Sequence, residues 1–106
     1  MKEYDEDWRL IFEGEYFNGE RNGKGKEYNY NGELEFEGEY LNGERNGKGK
    51  QYYNGKLKFE GEYLNGKRNG KGKEYFDYNR ELIFEGEYLN DIRWNGRGKE
   101  YNMKKN

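Results

Sequence analysis

Residues 12–32 read FEGEYFNGERNGKGKEYNYNG, a pattern that indicates paired β-strands. In the FEGEY string, Phe, Gly and Tyr fall on one side of an extended chain and the two Glu on the other, which is the period of two of a strand. Asn-Gly follows at residues 18–19. This pair favours a two-residue hairpin turn, because both central positions need a positive φ. A second strand is predicted over residues 22–30, and Asn-Gly at 31–32 turns the chain again. The stretch therefore predicts a β-hairpin.

The same unit is repeated along the chain. FEGEY starts at Phe12, Phe36, Phe59 and Phe84, with spacings of 24, 23 and 25 residues. A period of this size is typical of arrays in which each repeat contacts only its neighbours. We expect an all-β fold, a single-layer antiparallel meander of about four β-hairpin repeats. The predicted segments are a lead-in or cap over residues 1–9, four repeats within residues 10–101 (about 12–35, 36–58, 59–83 and 84–101) and a tail over residues 102–106.

Composition excludes several classes of function. The 106 residues correspond to one small domain with 19% aromatic and 40% charged residues, and they include no Ser, Thr, Cys, His, Pro, Ala or Val. Catalysis by a Ser, Thr or Cys nucleophile or by a His acid or base is therefore excluded, as are Cys/His metal sites and disulfides. A net charge of −2 gives no reason to expect a nucleic-acid partner. With no apolar run of membrane-spanning length and an acidic N-terminus without a signal-peptide core, we expect a cytoplasmic protein.

The turn at residues 18–19 also predicts a strand register. Counting outward from it places Tyr16 opposite Arg21, Gly14 opposite Gly23 and Glu13 opposite Lys24. Opposed glycines would leave a trough in which neighbouring rings lie flat. The unequal spacing after Gly25 and Gly49 indicates a bulge that would shift this register. The pattern therefore leaves open which face holds Tyr28, Tyr30, Tyr52 and Tyr53.

These strings together resemble the MORN repeat (membrane occupation and recognition nexus), and the resemblance covers all four units. The fourth unit departs from the pattern, because Asp91 stands where the turn glycine belongs and an insertion holds Trp94. The resemblance implies an elongated, twisted sheet of hairpins that serves as a scaffold, binding protein partners, dimerising or binding acidic phospholipids, without catalysis by the repeat itself. The matching positions are Phe12, Gly14, Tyr16, Gly19, Gly23 and Gly25; Phe36, Gly38, Tyr40, Gly43, Gly47 and Gly49; Phe59, Gly61, Tyr63, Gly66, Gly70 and Gly72; and Phe84, Gly86, Tyr88, Gly96 and Gly98.

Two sets of repeated side chains are candidates for binding. The aromatic set is expected to form the core, and because a single-layer sheet has no second layer over its rings, it also predicts a partner-binding face. The basic set, interleaved with glutamates, is expected to be a solvated face of cross-strand pairs, with a basic rim for anionic headgroups as the alternative. The aromatic set is Phe12, Tyr16, Phe36, Tyr40, Phe59, Tyr63, Phe84 and Tyr88. The basic set is Arg21, Lys24, Arg45, Lys48, Arg68, Lys71, Arg93 and Arg97, with Lys26, Lys50, Lys73 and Lys99 extending it.

Trp8 and Trp94 lie outside the repeat pattern, and we expect them to cap the ends of the sheet or to contact a second copy. The repeated glutamates predict structure and not catalysis, because a catalytic pair would occur once. We therefore expect a non-enzymatic scaffold without cofactor or metal, acting through protein–protein interaction or homo-oligomeric assembly. The alternative is peripheral binding to an anionic membrane surface through the basic rim.

Overall fold

The structure is a computed structural model that describes residues 1–76, 79 and 81–97. Within these residues, nine strands form one antiparallel sheet in which every strand pairs with its neighbours in the chain. The molecule measures 49 × 26 × 16 Å, as expected for one layer of strands with side chains on both faces. The predicted all-β, single-layer antiparallel meander is thereby confirmed. The strands are β1 (Lys2–Tyr4), β2 (Leu10–Phe17), β3 (Glu20–Tyr28), β4 (Leu34–Leu41), β5 (Glu44–Tyr53), β6 (Lys56–Leu64), β7 (Lys67–Tyr75), β8 (Leu82–Leu89) and β9 (Ile92–Arg97).

Four tight turns lie at one edge of the sheet, at residues 18–19, 42–43, 65–66 and 90–91. Both residues of each turn have positive φ, as the Asn-Gly pairs predict. Asp91 adopts a φ of 74°, so the fourth turn keeps this conformation without its glycine. The Asp91 carboxylate accepts the backbone N–H of Arg68 at 2.9 Å, which ties this turn to the preceding hairpin.

The predicted register holds next to the turn and fails beyond it. Tyr16 pairs with Arg21 as expected, but Gly14 pairs with Gly25 and not with Gly23. Residues 22–24 form a bulge, in which Gly23 has a φ of 101°. The Glu15 carboxylate stabilises this bulge by accepting the Lys24 N–H at 2.9 Å. The positive φ favours glycine at this position, and a Cβ there would lie 2.1 Å from that carboxylate oxygen and displace it.

A second irregularity separates consecutive repeats, as the spacing after Gly25 and Gly49 predicts. The register shifts between Glu27 and Tyr28, and again between Gln51 and Tyr52. In the last hairpin, Gly96 pairs with Gly86 and so occupies the position of Gly25, whereas the sequence match aligned it with Gly23. Gly98, Lys99, the end of the fourth repeat and the tail over residues 102–106 lie outside the described residues.

The lead-in contributes a strand of the sheet. β1 pairs Lys2 with Glu13 and Glu3 with Phe12. The β3–β4 pair has the same arrangement, with Lys26 opposite Glu37 and Glu27 opposite Phe36. The sequence Lys-Glu-Tyr occurs at residues 2–4 and again at 26–28, so similar residues form similar strands.

The core is a row of rings on one face, which we call the aromatic face. Phe12, Phe36 and Phe59 are fully buried. Each lies edge-on to a tyrosine of the following hairpin at 5.2 Å between ring centroids, a favourable aromatic geometry. The buried row consists of Phe12, Phe36, Tyr40, Phe59, Tyr63, Phe84 and Tyr88, with Tyr16 packed partly buried against it. The predicted aromatic core is confirmed.

Candidate functional site

Each buried phenylalanine lies between glycine backbone and an arginine. A Cβ built on Gly25 would lie 2.5 Å from Cζ of Phe12, so the ring occupies the space that a side chain would take. On its other side, Cζ of Arg21 lies 4.1 Å from the ring centroid, a cation–π contact. Arg45, Arg68 and Arg93 repeat the contact over Phe36, Phe59 and Phe84. The arginines therefore provide the second layer that a single sheet lacks.

A hydrogen-bond network joins these arginines to the tyrosines. Glu27 accepts the Tyr40 hydroxyl at 2.6 Å and two N–H groups of Arg45 at 3.0 and 2.9 Å. Burial by itself would raise the pKa of Glu27, but the hydrogen bonds from Arg45 and Tyr40 outweigh it and the pKa lies below its usual value. The pKa of Tyr40 is raised by burial and by its hydrogen bond to Glu27.

The network recurs with one change. In the next hairpin Gln51 replaces the glutamate and accepts both the Tyr63 hydroxyl and Nε of Arg68. In the last, Glu74 accepts the Tyr88 hydroxyl at 2.5 Å and Arg93 Nε at 2.7 Å. The expectation that the rings are incompletely covered is therefore wrong for the seven buried residues. Binding of a partner to the aromatic face stays a prediction.

The opposite surface, which we call the charged face, carries alternating bands of charge. Strand β2 presents Glu13 and Glu15, and β3 presents Lys24 and Lys26 beside them. One row across the whole sheet alternates in sign at every strand. Its backbone register pairs Lys2, Glu13, Lys26, Glu37, Lys50, Glu60, Lys73, Glu85 and Arg97 in succession.

A groove runs across the strands on this face. It has a volume of about 870 Å³ and is lined by the charged bands, with glycines such as Gly38 and Gly49 at its floor. A second groove continues it from Glu60 to Gly96. On one margin, the hydroxyls of Tyr28, Tyr52 and Tyr75 donate to Glu13, Glu37 and Glu60. Tyr28 and Tyr52 thus lie on the charged face, whereas Tyr30 and Tyr53 are exposed at the sheet edge.

The structure does not bring the eight basic candidates together. Arg21, Arg45, Arg68 and Arg93 lie over the aromatic face, where glutamates bind them in ion pairs. Lys24, Lys48 and Lys71 lie on the charged face, each opposite a glutamate of the next strand. The backbone of Arg97 pairs with Glu85, and its side chain is outside the description. The eight residues therefore do not share one face, and lipid binding by them, the alternative given above, stays a prediction.

Sequence reasoning missed an exposed apolar row. The residue before each edge turn is large and apolar, and the alternation along each strand places it on the charged face. We call these four residues the turn row. They are Phe17, Leu41, Leu64 and Leu89, which are 66%, 49%, 49% and 52% exposed. The signal was present in the sequence, because these positions alternate with the aromatic ones and yet are apolar in every repeat.

The two tryptophans are exposed, Trp8 by 81% and Trp94 by 60%. Trp8 follows β1 with a positive φ and contacts the ring of Tyr4 at 6.4 Å between centroids. Trp94 is the extra residue of the bulge in β9, two residues after Ile92, which pairs with Leu89 of the turn row. Neither side chain is buried at a sheet end as capping requires. Contact of either with a second chain stays a prediction.

The described part of the chain has neither a carboxylate metal cluster nor a membrane-spanning helix. Residues 1–76, 79 and 81–97 contain no cluster of three or more Asp or Glu that could hold a metal ion. In the same residues there is no helix long and apolar enough to cross a membrane.

Comparison with known proteins identifies the repeat. The MORN repeat family model matches residues 12–33, 36–56 and 59–79, which together are more than half of the chain. Strands β8 and β9 continue the same sheet and the same row of rings beyond these matches. No curated protein matches the chain. Repeating hairpins, aromatic row and family match agree, and the chain belongs to the MORN repeat family.

Proposed function

We propose that this MORN protein is a non-enzymatic scaffold that binds a protein partner on its charged face. The observation that carries this proposal is the turn row, four exposed apolar side chains at equivalent positions on the charged face. Its members lie two strands apart, a spacing of about 9.6 Å. On a helix, every seventh residue recurs at about 10.5 Å. A helix with an apolar residue at each seventh position therefore matches the spacing of the turn row. The polar residues on either side of its apolar stripe would then face the charged bands.

The charge pattern favours a protein over an anionic membrane. Acidic and basic strands alternate at about 4.8 Å, well within a Debye length of about 8 Å at physiological salt, so their fields largely cancel at a uniformly negative surface. A protein partner with charges of both signs has no such disadvantage. Glu20 and Glu44 lie beside Phe17 and Leu41, whereas Lys67 lies beside Leu64. This order favours a helix with basic residues at one end and acidic residues at the other.

The test uses synthetic helical peptides with leucine at every seventh position and flanking charges of this order. We expect binding by fluorescence anisotropy to the wild-type chain, and loss of at least tenfold in affinity for the double variant Leu41→Glu, Leu64→Glu. The matched control is Tyr30→Glu, Tyr53→Glu, which places the same charges on exposed residues away from the row. Equal affinity of the two variants would contradict the proposal. If the chain does not bind the peptides but floats with anionic vesicles at physiological salt, the lipid alternative is favoured. If it does not bind the peptides but forms a dimer in sedimentation, self-assembly is favoured.

A further inference from the structure

The chain contains nine Asn-Gly dipeptides, and four of them form two-residue turns whose glycine amides are bonded differently. Asn-Gly is prone to spontaneous deamidation because glycine leaves its own backbone nitrogen unhindered. In this reaction the glycine nitrogen attacks Cγ of the asparagine, a C–N bond forms, and the side-chain nitrogen leaves as ammonia. Water then opens the resulting succinimide at either carbonyl, giving aspartate or isoaspartate. The attacking nitrogen must first give up its proton, so a hydrogen bond donated by that N–H opposes the reaction.

Two of the edge turns hold this N–H in a bond between repeats. Gly43 donates to the backbone carbonyl of Arg21, and Gly66 donates to that of Arg45, each at 2.9 Å. The asparagine before each glycine also makes a hydrogen bond to the preceding hairpin. Its N–H donates to the side chain of Asn22 or Asn46 in the preceding hairpin, at 3.3 and 3.2 Å.

Two other turns have the same conformation without these bonds. Asn18 and Asn54 have φ values of 52° and 53°, against 52° and 51° for Asn42 and Asn65. Across residues 1–76, 79 and 81–97, no acceptor bonds the N–H of Gly19 or Gly55. Because the turn geometry is shared, the difference lies in the bonding of the glycine nitrogen.

We propose that in the folded chain Asn18 deamidates faster than Asn42, and Asn54 faster than Asn65. Asn18 and Asn42 are both followed by Gly-Glu, and Asn54 and Asn65 are both followed by Gly-Lys. The chain thus contains two matched pairs, each with one bonded and one unbonded glycine. Aspartate is compatible with the turn, as Asp91 shows at a φ of 74°. Isoaspartate adds a backbone methylene, so it breaks the two-residue loop and shifts the strand register.

The first experiment measures deamidation of the folded, full-length chain in mildly alkaline buffer made with ¹⁸O-water, followed by peptide mapping. We expect Asn18 to deamidate about threefold to tenfold faster than Asn42, and Asn54 to deamidate faster than Asn65 by a similar factor. These factors follow from the net free energy of the hydrogen bonds that must open before the glycine nitrogen can react. A ratio below about two in either pair overturns the proposal, since one hydrogen bond already predicts at least this factor.

Two further measurements separate the effect of the fold on the deamidation rates from the effect of the local sequence. In concentrated guanidinium we expect both ratios to fall towards one, because the bonds between repeats are then lost. Ratios that persist in the unfolded chain overturn the proposal. By NMR hydrogen exchange, we expect the amides of Gly43 and Gly66 to be protected and those of Gly19 and Gly55 to exchange rapidly. Equal protection of all four amides also overturns it.

Discussion

The individual glycines of the aromatic face matter because rings occupy the space that their side chains would take. Gly49 has no positive φ, so the backbone would accept alanine, but a Cβ there would lie 2.5 Å from Cζ of Phe36 and 3.1 Å from the Tyr63 ring. Both rings are held in place, Phe36 by Arg45 above it and Tyr63 by its hydroxyl bond to Gln51. Neither ring has room to move away.

We therefore expect Gly49→Ala to lower the free energy of unfolding by about 2–3 kcal/mol, as overpacking of a filled site does. Urea titration followed by circular dichroism measures the change. Lys50→Ala is the control on the adjacent, exposed position of the same strand, and surface changes of this kind stay within about 0.5 kcal/mol. If the two variants unfold at the same urea concentration, the ring does not need the glycine.

At the scale of a single hairpin, the fourth turn tests how the array accommodates an imperfect unit. Asp91 has a φ of 74°, which is costly for a residue with a side chain, yet its carboxylate accepts the Arg68 N–H at 2.9 Å. Asp91→Gly removes both the conformational cost of the positive φ and the hydrogen bond to Arg68. We therefore expect its free energy of unfolding to be close to that of the wild type. Asp91→Ala keeps the conformational cost and loses the hydrogen bond, so its free energy of unfolding should fall by about 1–2 kcal/mol.

Thermal unfolding of the two Asp91 variants side by side provides the measurement. A lower transition temperature for the alanine variant alone is the expected result. Equal transition temperatures for both variants would mean that the carboxylate bond does not stabilise the turn.

The hairpins also show what the sequence could predict. Alternation and Asn-Gly pairs were sufficient for the strands, the turns and the aromatic row, because both signals are local. The register failed beyond Tyr16, because the bulge at Gly23 depends on a carboxylate from the facing strand, Glu15, which no local pattern reports. The predicted pairs already placed Arg21 on the side of Tyr16 and Lys24 on the side of Glu13, but the sequence reasoning grouped arginines and lysines in one basic set. Arg21 lies over the aromatic face and Lys24 on the charged face.

Across the whole molecule, each repeat is joined to the next by the same bonds. The nine described strands pair only with their chain neighbours, so stability comes from successive interfaces and not from one central core. At each interface a buried tyrosine hydroxyl donates to Glu27, Gln51 or Glu74. Deprotonation of these hydroxyls would therefore weaken several interfaces between repeats at once.

This repetition predicts cooperative unfolding at alkaline pH. Burial raises the pKa of Tyr63 to about 12, although the charges of Arg68 and Arg45 partly oppose it. Burial and the hydrogen bond to Glu74 also raise the pKa of Tyr88. In the unfolded chain a tyrosine titrates near pH 10. Because the folded pKa is the higher one, this stabilisation is complete below about pH 10 and is lost as the pH rises towards 12.

We expect the free energy of unfolding, measured by urea titration at increasing pH, to fall above about pH 10 in step with the tyrosinate absorbance of the unfolded chain. Tyr63→Phe should reduce the slope of that fall, since one linked proton is removed. The negative net charge of the chain also grows with pH and would destabilise any compact state. Added salt screens that repulsion but not a buried proton equilibrium. A fall that disappears in high salt, with the same slope in Tyr63→Phe, would assign alkaline unfolding to net charge and not to the buried hydroxyls.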